Sequence, residues 1–102
     1  MSGYRIVITH RAYLDITECV EFVKAVSQES AKLLHKEIMD SLKNLDKFPY
    51  MYPEIEGLSV FDNSIRKMVI HSGRYSVIYK IEKDSIVIYD ILDSRKDNKV
   101  FF

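Results

Sequence analysis

The sequence predicts an α+β fold: an N-terminal strand, an antiparallel two-helix hairpin, then a three-stranded antiparallel meander. The helices are expected to pack on one face of a small antiparallel sheet. Three observations lead there. Residues 4–9 and the runs within 65–95 are β-branched and largely alternating, the period-two signature of half-buried strands. Between residues 12 and 45 apolar side chains recur every three or four positions, the period of an amphipathic helix. The breaks between these runs are short, which makes successive elements antiparallel neighbours.

Residues 4–9 (YRIVIT) form the first strand, and Thr9 is placed to cap the helix that follows, a contribution of about 1 kcal/mol. Ala12, Ile16, Cys19, Val23 and Val26 make the buried stripe of that helix, widened by Tyr13 and Val20. Asp15, Glu18, Glu21 and Lys24 fall largely on its solvated side. Ser27-Gln28-Glu29-Ser30 interrupts the pattern and supplies a second cap. The second helix turns Ala31, Leu34, Ile38, Leu42 and Leu45 to one face and ends before Pro49 and Pro53, which cannot continue it. Residues 50–64 are irregular but too apolar for a free linker, with a short strand expected near 58–60. In the meander, Ser72-Gly73 and Lys83-Asp84 occupy the turns, and Tyr75, Val77, Tyr79 and Ile81 share the face expected to meet the helices.

The chain of 102 residues reads as a single domain, 1–102, large enough for one core. No apolar run approaches the roughly 20 residues of a membrane span, and MSGYRIVITH lacks the pattern of a signal peptide. With one cysteine, Cys19, no internal disulfide forms, and a cytoplasmic location is expected. Cys19 lies on an apolar stripe and reads as a core residue. The three histidines have no ligand spacing, so neither metal nor cofactor is expected. Net charge is zero but uneven. Residues 1–62 hold seven Lys/Arg against ten Asp/Glu, a balance of −3; residues 63–102 hold eight against five, a balance of +3. The meander half is therefore the one suited to phosphate or to an acidic partner.

In this order, Leu45-Asp46-Lys47-Phe48-Pro49, Ile65-Arg66, Gly73-Arg74-Tyr75-Ser76-Val77-Ile78-Tyr79-Lys80-Ile81 and Ile88-Tyr89-Asp90-Ile91-Leu92-Asp93-Ser94-Arg95 resemble the RelE/ParE superfamily of toxins from type II toxin–antitoxin modules. The resemblance covers nearly the whole chain. It implies a cytoplasmic growth inhibitor, of the kind linked with plasmid stabilisation, neutralised by a cognate antitoxin and meeting DNA only through it. RelE-like members cut ribosome-bound mRNA without metal, whereas ParE-like members inhibit DNA gyrase by binding it.

Metal-free RNA cleavage needs an activated 2′-hydroxyl, a stabilised phosphorane and a proton for the leaving oxygen. The resemblance assigns that work to basic residues on the open sheet face, an Arg after the last strand and a Tyr near the C-terminus. Lys67 and Arg95 match two of those positions, and His71 and Arg74 are the candidate substitutes. Val69, Ser76 and Phe101 stand where the pattern has two further basic residues and the Tyr. These departures, with the long hairpin ending in Phe48-Pro49, favour the ParE-like branch. The alternatives are a RelE-like ribosome-dependent endoribonuclease using Arg95, Lys67, His71 and Arg74, and a non-toxic divergent homologue.

Each of these side chains also has a plain structural role open to it. Arg66 suits an ion pair at the sheet rim, and Arg95 a pair with Asp93 or Asp97. Tyr50, Tyr52, Val100, Phe101 and Phe102 form the candidate partner-binding set, the last three with the alternative of folding back onto the sheet. A free sheet edge, at residues 4–9 or at the loop after Pro53, and the helix-hairpin groove are receptors suited to an antitoxin segment.

Overall fold

Alternation in the meander and 3.6-residue periodicity in the hairpin give the element order of the computed structural model, which describes residues 3–55 and 65–95. Strand β1 (Arg5–Ile8) leads to helices α1 (His10–Lys24) and α2 (Gln28–Asn44), then to strands β2 (Ile65–Ile70), β3 (Tyr75–Ile81) and β4 (Ser85–Asp93). Both helix starts are capped as their sequence requires: Thr9 Oγ1 accepts from the Ala12 N–H at 3.1 Å, and Ser27 Oγ from the Ser30 N–H at 3.1 Å. No described helix is long and apolar enough to cross a membrane. The expected strand at 58–60 and the tail residues Val100, Phe101 and Phe102 lie outside the described residues.

The sheet order is β1-β4-β3-β2. The meander is antiparallel, but β1 pairs parallel with β4, Arg5 opposite Ser85 and Ile8 opposite Ile88. The sheet is therefore mixed, not wholly antiparallel as the pattern suggested. The path of the helices explains this. Arg11 meets Asp90 and Phe22 lies beside Arg95, so α1 continues along β4 in the direction of β1. Helix α2 then returns to the start of β1, where Asp46 Oδ1 accepts from the Tyr4 N–H at 3.3 Å. The chain begins β2 from the end at which β1 began, and two hairpins later β4 runs the same way.

The core lies between the helices and one sheet face. Ala12, Ile16, Leu34, Ile38, Leu42 and Leu45 from the helical side meet Met68, Tyr75, Val77, Tyr79, Ile81, Ile86, Ile88 and Ile91. Val26 departs from its expected place and is 87% exposed, because α1 ends at Lys24 with Ala25 as its C-cap and Val26 falls in the connection. On the other sheet face Ile78 is buried while Lys67 and Val69 are exposed.

Between β3 and β4 the register slips by one residue: Ile78 faces Asp90 but Tyr79 faces Ile88. Tyr89 is the extra residue of a β-bulge, which inverts the alternation of β4. Ile86 and Ile88 point to the core before it, Ile91 and Asp93 after it.

Candidate functional site

Three of the four candidate catalytic residues come together, and Tyr75 is at their centre. The turn between β2 and β3 is closed by the Arg74 N–H donating to His71 O at 3.0 Å. His71, Ser72 and Gly73 all have positive φ (55°, 55° and 88°). Two successive left-handed positions in the turn suit Ser72-Gly73; at His71 a side chain is held in a sparsely populated region. The turn brings the His71 ring to 5.7 Å from that of Tyr75, stacked at 29°. The Arg74 guanidinium carbon stands 6.0 Å from the Tyr75 ring centre. Tyr75 pairs with Asp93 across the sheet, and the Ser94 N–H donates to Arg74 O at 2.8 Å, which places Arg95 at the same end.

Arg95 and His71 each lean toward a helix, Arg95 toward α1 and His71 toward α2. Asp93 Oδ1 accepts from the Arg95 main-chain N–H (2.9 Å) and Nε (3.4 Å), and Oδ2 from Nη2 (3.3 Å). The guanidinium also lies 5.1 Å from the Phe22 ring centre, a cation–π distance. Burial would raise the Asp93 carboxyl, but the hydrogen bonds and charge of Arg95, with the charge of Arg74, outweigh it and hold Asp93 below its ordinary value. His71 Nδ1 is 2.7 Å from Glu37 Oε1 of α2. Tyr75 is driven above its usual range, chiefly by burial, and so remains a protonated phenol.

Lys67 is not part of this group. It sits opposite Ile78, in mid-strand on the other face. Ser76 and Val69 also pair there, so that face lacks two of the charges a phosphate-cleaving surface would need. Of the proposed partner-binding residues within the described part, Tyr50 is 60% exposed, whereas Tyr52 packs against the core.

Arg66, on the helix-facing side, organises the loop after α2. Its Nη1 donates to Tyr52 O at 2.6 Å and Tyr50 O at 3.5 Å, and its Nη2 to Glu54 at 3.3 Å. It also lies over the Tyr50 ring at 5.1 Å. This is the ion pair at the sheet rim that the sequence offered for it.

A second polar cluster lies at the bulge. The Ile91 N–H is shared between Asp15 Oδ2 (3.1 Å) and Asp90 Oδ1 (3.0 Å), and Asp90 Oδ2 is 3.3 Å from Arg11 Nε. Burial first, and then the hydrogen bond with Asp90, push the Asp15 carboxyl up to about 7. Helical spacing had put Asp15 on the solvated side. The signal for its partner was the three-residue gap between Ile88 and Ile91, which marks the bulge.

A family model described as ParE toxin of type II toxin–antitoxin system, parDE, matches residues 6–98. Comparison with curated proteins returned no match. Among solved structures, the chain is similar to one from the chromosomal ParDE TA system of P. aeruginosa. The identity is 15%, over 89% of this chain and 96% of that one, with a TM-score of 0.71. At that identity the likeness is one of fold.

Proposed function

The chain belongs to the ParE toxin family of type II toxin–antitoxin systems, and from that premise we propose that it inhibits DNA gyrase by binding it and is neutralised by a cognate antitoxin. The observation that carries this over RNA cleavage is the state of Arg95. Its guanidinium is neutralised by Asp93 and set against Phe22, while Lys67 stands on the opposite face of the sheet. Electrostatic stabilisation of a phosphorane needs free positive charge converging on one point; here Lys67 stands apart from the residues around Tyr75, and Arg95 among them is already paired with Asp93.

The test is supercoiling by DNA gyrase with and without the purified chain, beside toeprinting of mRNA on translating ribosomes. Loss of supercoiling with intact mRNA is expected, and restored supercoiling when the antitoxin is added. Unchanged gyrase activity removes the reading. A-site cuts abolished by Arg95→Ala establish the endoribonuclease instead.

A further inference from the structure

The tip of the helix hairpin and the turn between β2 and β3 lie at one end of the molecule, and large apolar side chains are left in water there. Phe22 is 61% exposed, Val26 87% and Leu33 64%. Phe22 is in the last turn of α1, Val26 in the connection and Leu33 near the start of α2. Two cavities, each of about 280 Å³, open among them. One lies between the tip and the turn, where Val23, Leu33 and Leu34 face Arg74 and Tyr75. The other lies between Cys19, Phe22 and the Asp93–Arg95 pair. Apolar side chains exposed together around cavities mark a contact surface.

This surface is fixed before any partner arrives. Glu37 holds His71 to α2 at 2.7 Å, and His71 stacks on Tyr75. These contacts keep His71 at a φ of 55°, a conformation that persists only where its surroundings impose it. A preformed surface loses less conformational freedom on association.

The charges narrow the kind of partner. Arg95 is answered by Asp93 and His71 by Glu37. Among the described residues Arg74 forms no ion pair; its guanidinium stands over Tyr75. One uncompensated guanidinium among apolar side chains fits a single carboxylate with apolar neighbours, and Arg beside Tyr is the usual composition of a protein-binding centre. A phosphate backbone draws several free cations at once, so the surface suits a protein and not a nucleic acid.

We propose that the end of the molecule formed by Phe22, Val26, Leu33 and Arg74 is the surface that binds DNA gyrase, and that it takes an apolar segment of gyrase with an acidic residue opposite Arg74. The inference rests on the gyrase reading above.

Surface plasmon resonance with immobilised gyrase tests it, using the full chain and three variants whose fold is checked by thermal unfolding. Leu33→Asp and Arg74→Gln should each weaken binding on the order of tenfold or more. Arg74→Gln should also flatten the fall of affinity with added salt. Val69→Asp, which puts a carboxylate on the other face of the sheet, should bind as the parent does. Parent-like binding by Leu33→Asp and Arg74→Gln, or equal weakening by Val69→Asp, overturns the placement and leaves the gyrase reading intact. A salt dependence unchanged in Arg74→Gln overturns the acidic partner. Absence of binding by the parent removes the gyrase reading, and this inference falls with it.

Discussion

Two polar seams tie the rest of the chain to the sheet, and they carry opposite charges. At the seam between β2 and the loop after α2, one largely buried cation, Arg66, is surrounded by neutral carbonyls and one carboxylate. At the seam between α1 and β4, two carboxylates share a single N–H, and their cation, Arg11, is mostly exposed. The guanidinium that anchors the first seam keeps its charge at any physiological pH. The Asp15 carboxyl of the second does not. A carboxyl whose folded value lies above its ordinary one binds its proton more tightly in the native state, so stability falls as pH rises. For Asp15 the window runs from its ordinary value of 3.8 to about 7.

The largest expected effect comes from breaking the first seam. Arg66→Ala should cost about 3 kcal/mol, because it strips partners from Tyr50 O, Tyr52 O and Glu54 together. Urea denaturation measures it, and a loss within about 0.5 kcal/mol would place Arg66 among ordinary surface residues. Next is Tyr79→Phe. Its buried hydroxyl donates to Pro49 O at 2.7 Å, and burial holds the phenol up at about 12, so it donates throughout the physiological range. Leaving that carbonyl unpaired should cost about 1.5 kcal/mol, with no dependence on pH between 5 and 8.

Thr9→Ala should cost about 1 kcal/mol. It removes the cap on α1 and the hydroxyl's own bond to Tyr89 O at the bulge, 3.2 Å, and thermal unfolding would register both. Asp15→Asn has the smallest effect and the opposite sign. The amide reproduces the protonated carboxyl, so the variant should match the parent near pH 4 and exceed it near pH 8. Solvent screening of this half-exposed group leaves a gain of about 0.5–1 kcal/mol. Parallel stability–pH profiles for the two proteins would show that the seam is insensitive to protonation and erase the contrast between the seams.

Much of the fold was readable because single residues settle local questions. Thr9 and Ser27 cap their helices through side chains that almost no other residue type supplies so well. Tyr75, Val77, Tyr79 and Ile81 declare a buried face by alternation alone. The candidate site was less readable. Lys67, His71, Arg74 and Arg95 were grouped by a pattern of residue types, yet three of them surround Tyr75 and Lys67 lies on the other face. Glu37 and Phe22, which hold His71 and Arg95, are ordinary helix residues whose distant partners no local pattern names.

Periodicity, capping and turn chemistry act over a few residues, and in this chain they determined six elements and one buried layer. The parallel pairing of β1, the slip at Tyr89 and the meeting of Asp15 with Asp90 were decided only by tertiary packing. Each depends on how α1 lies along β4, a contact between residues more than seventy positions apart. Direction in a sheet follows the path of the whole chain, and a carboxylate is held or solvated according to what the fold sets against it.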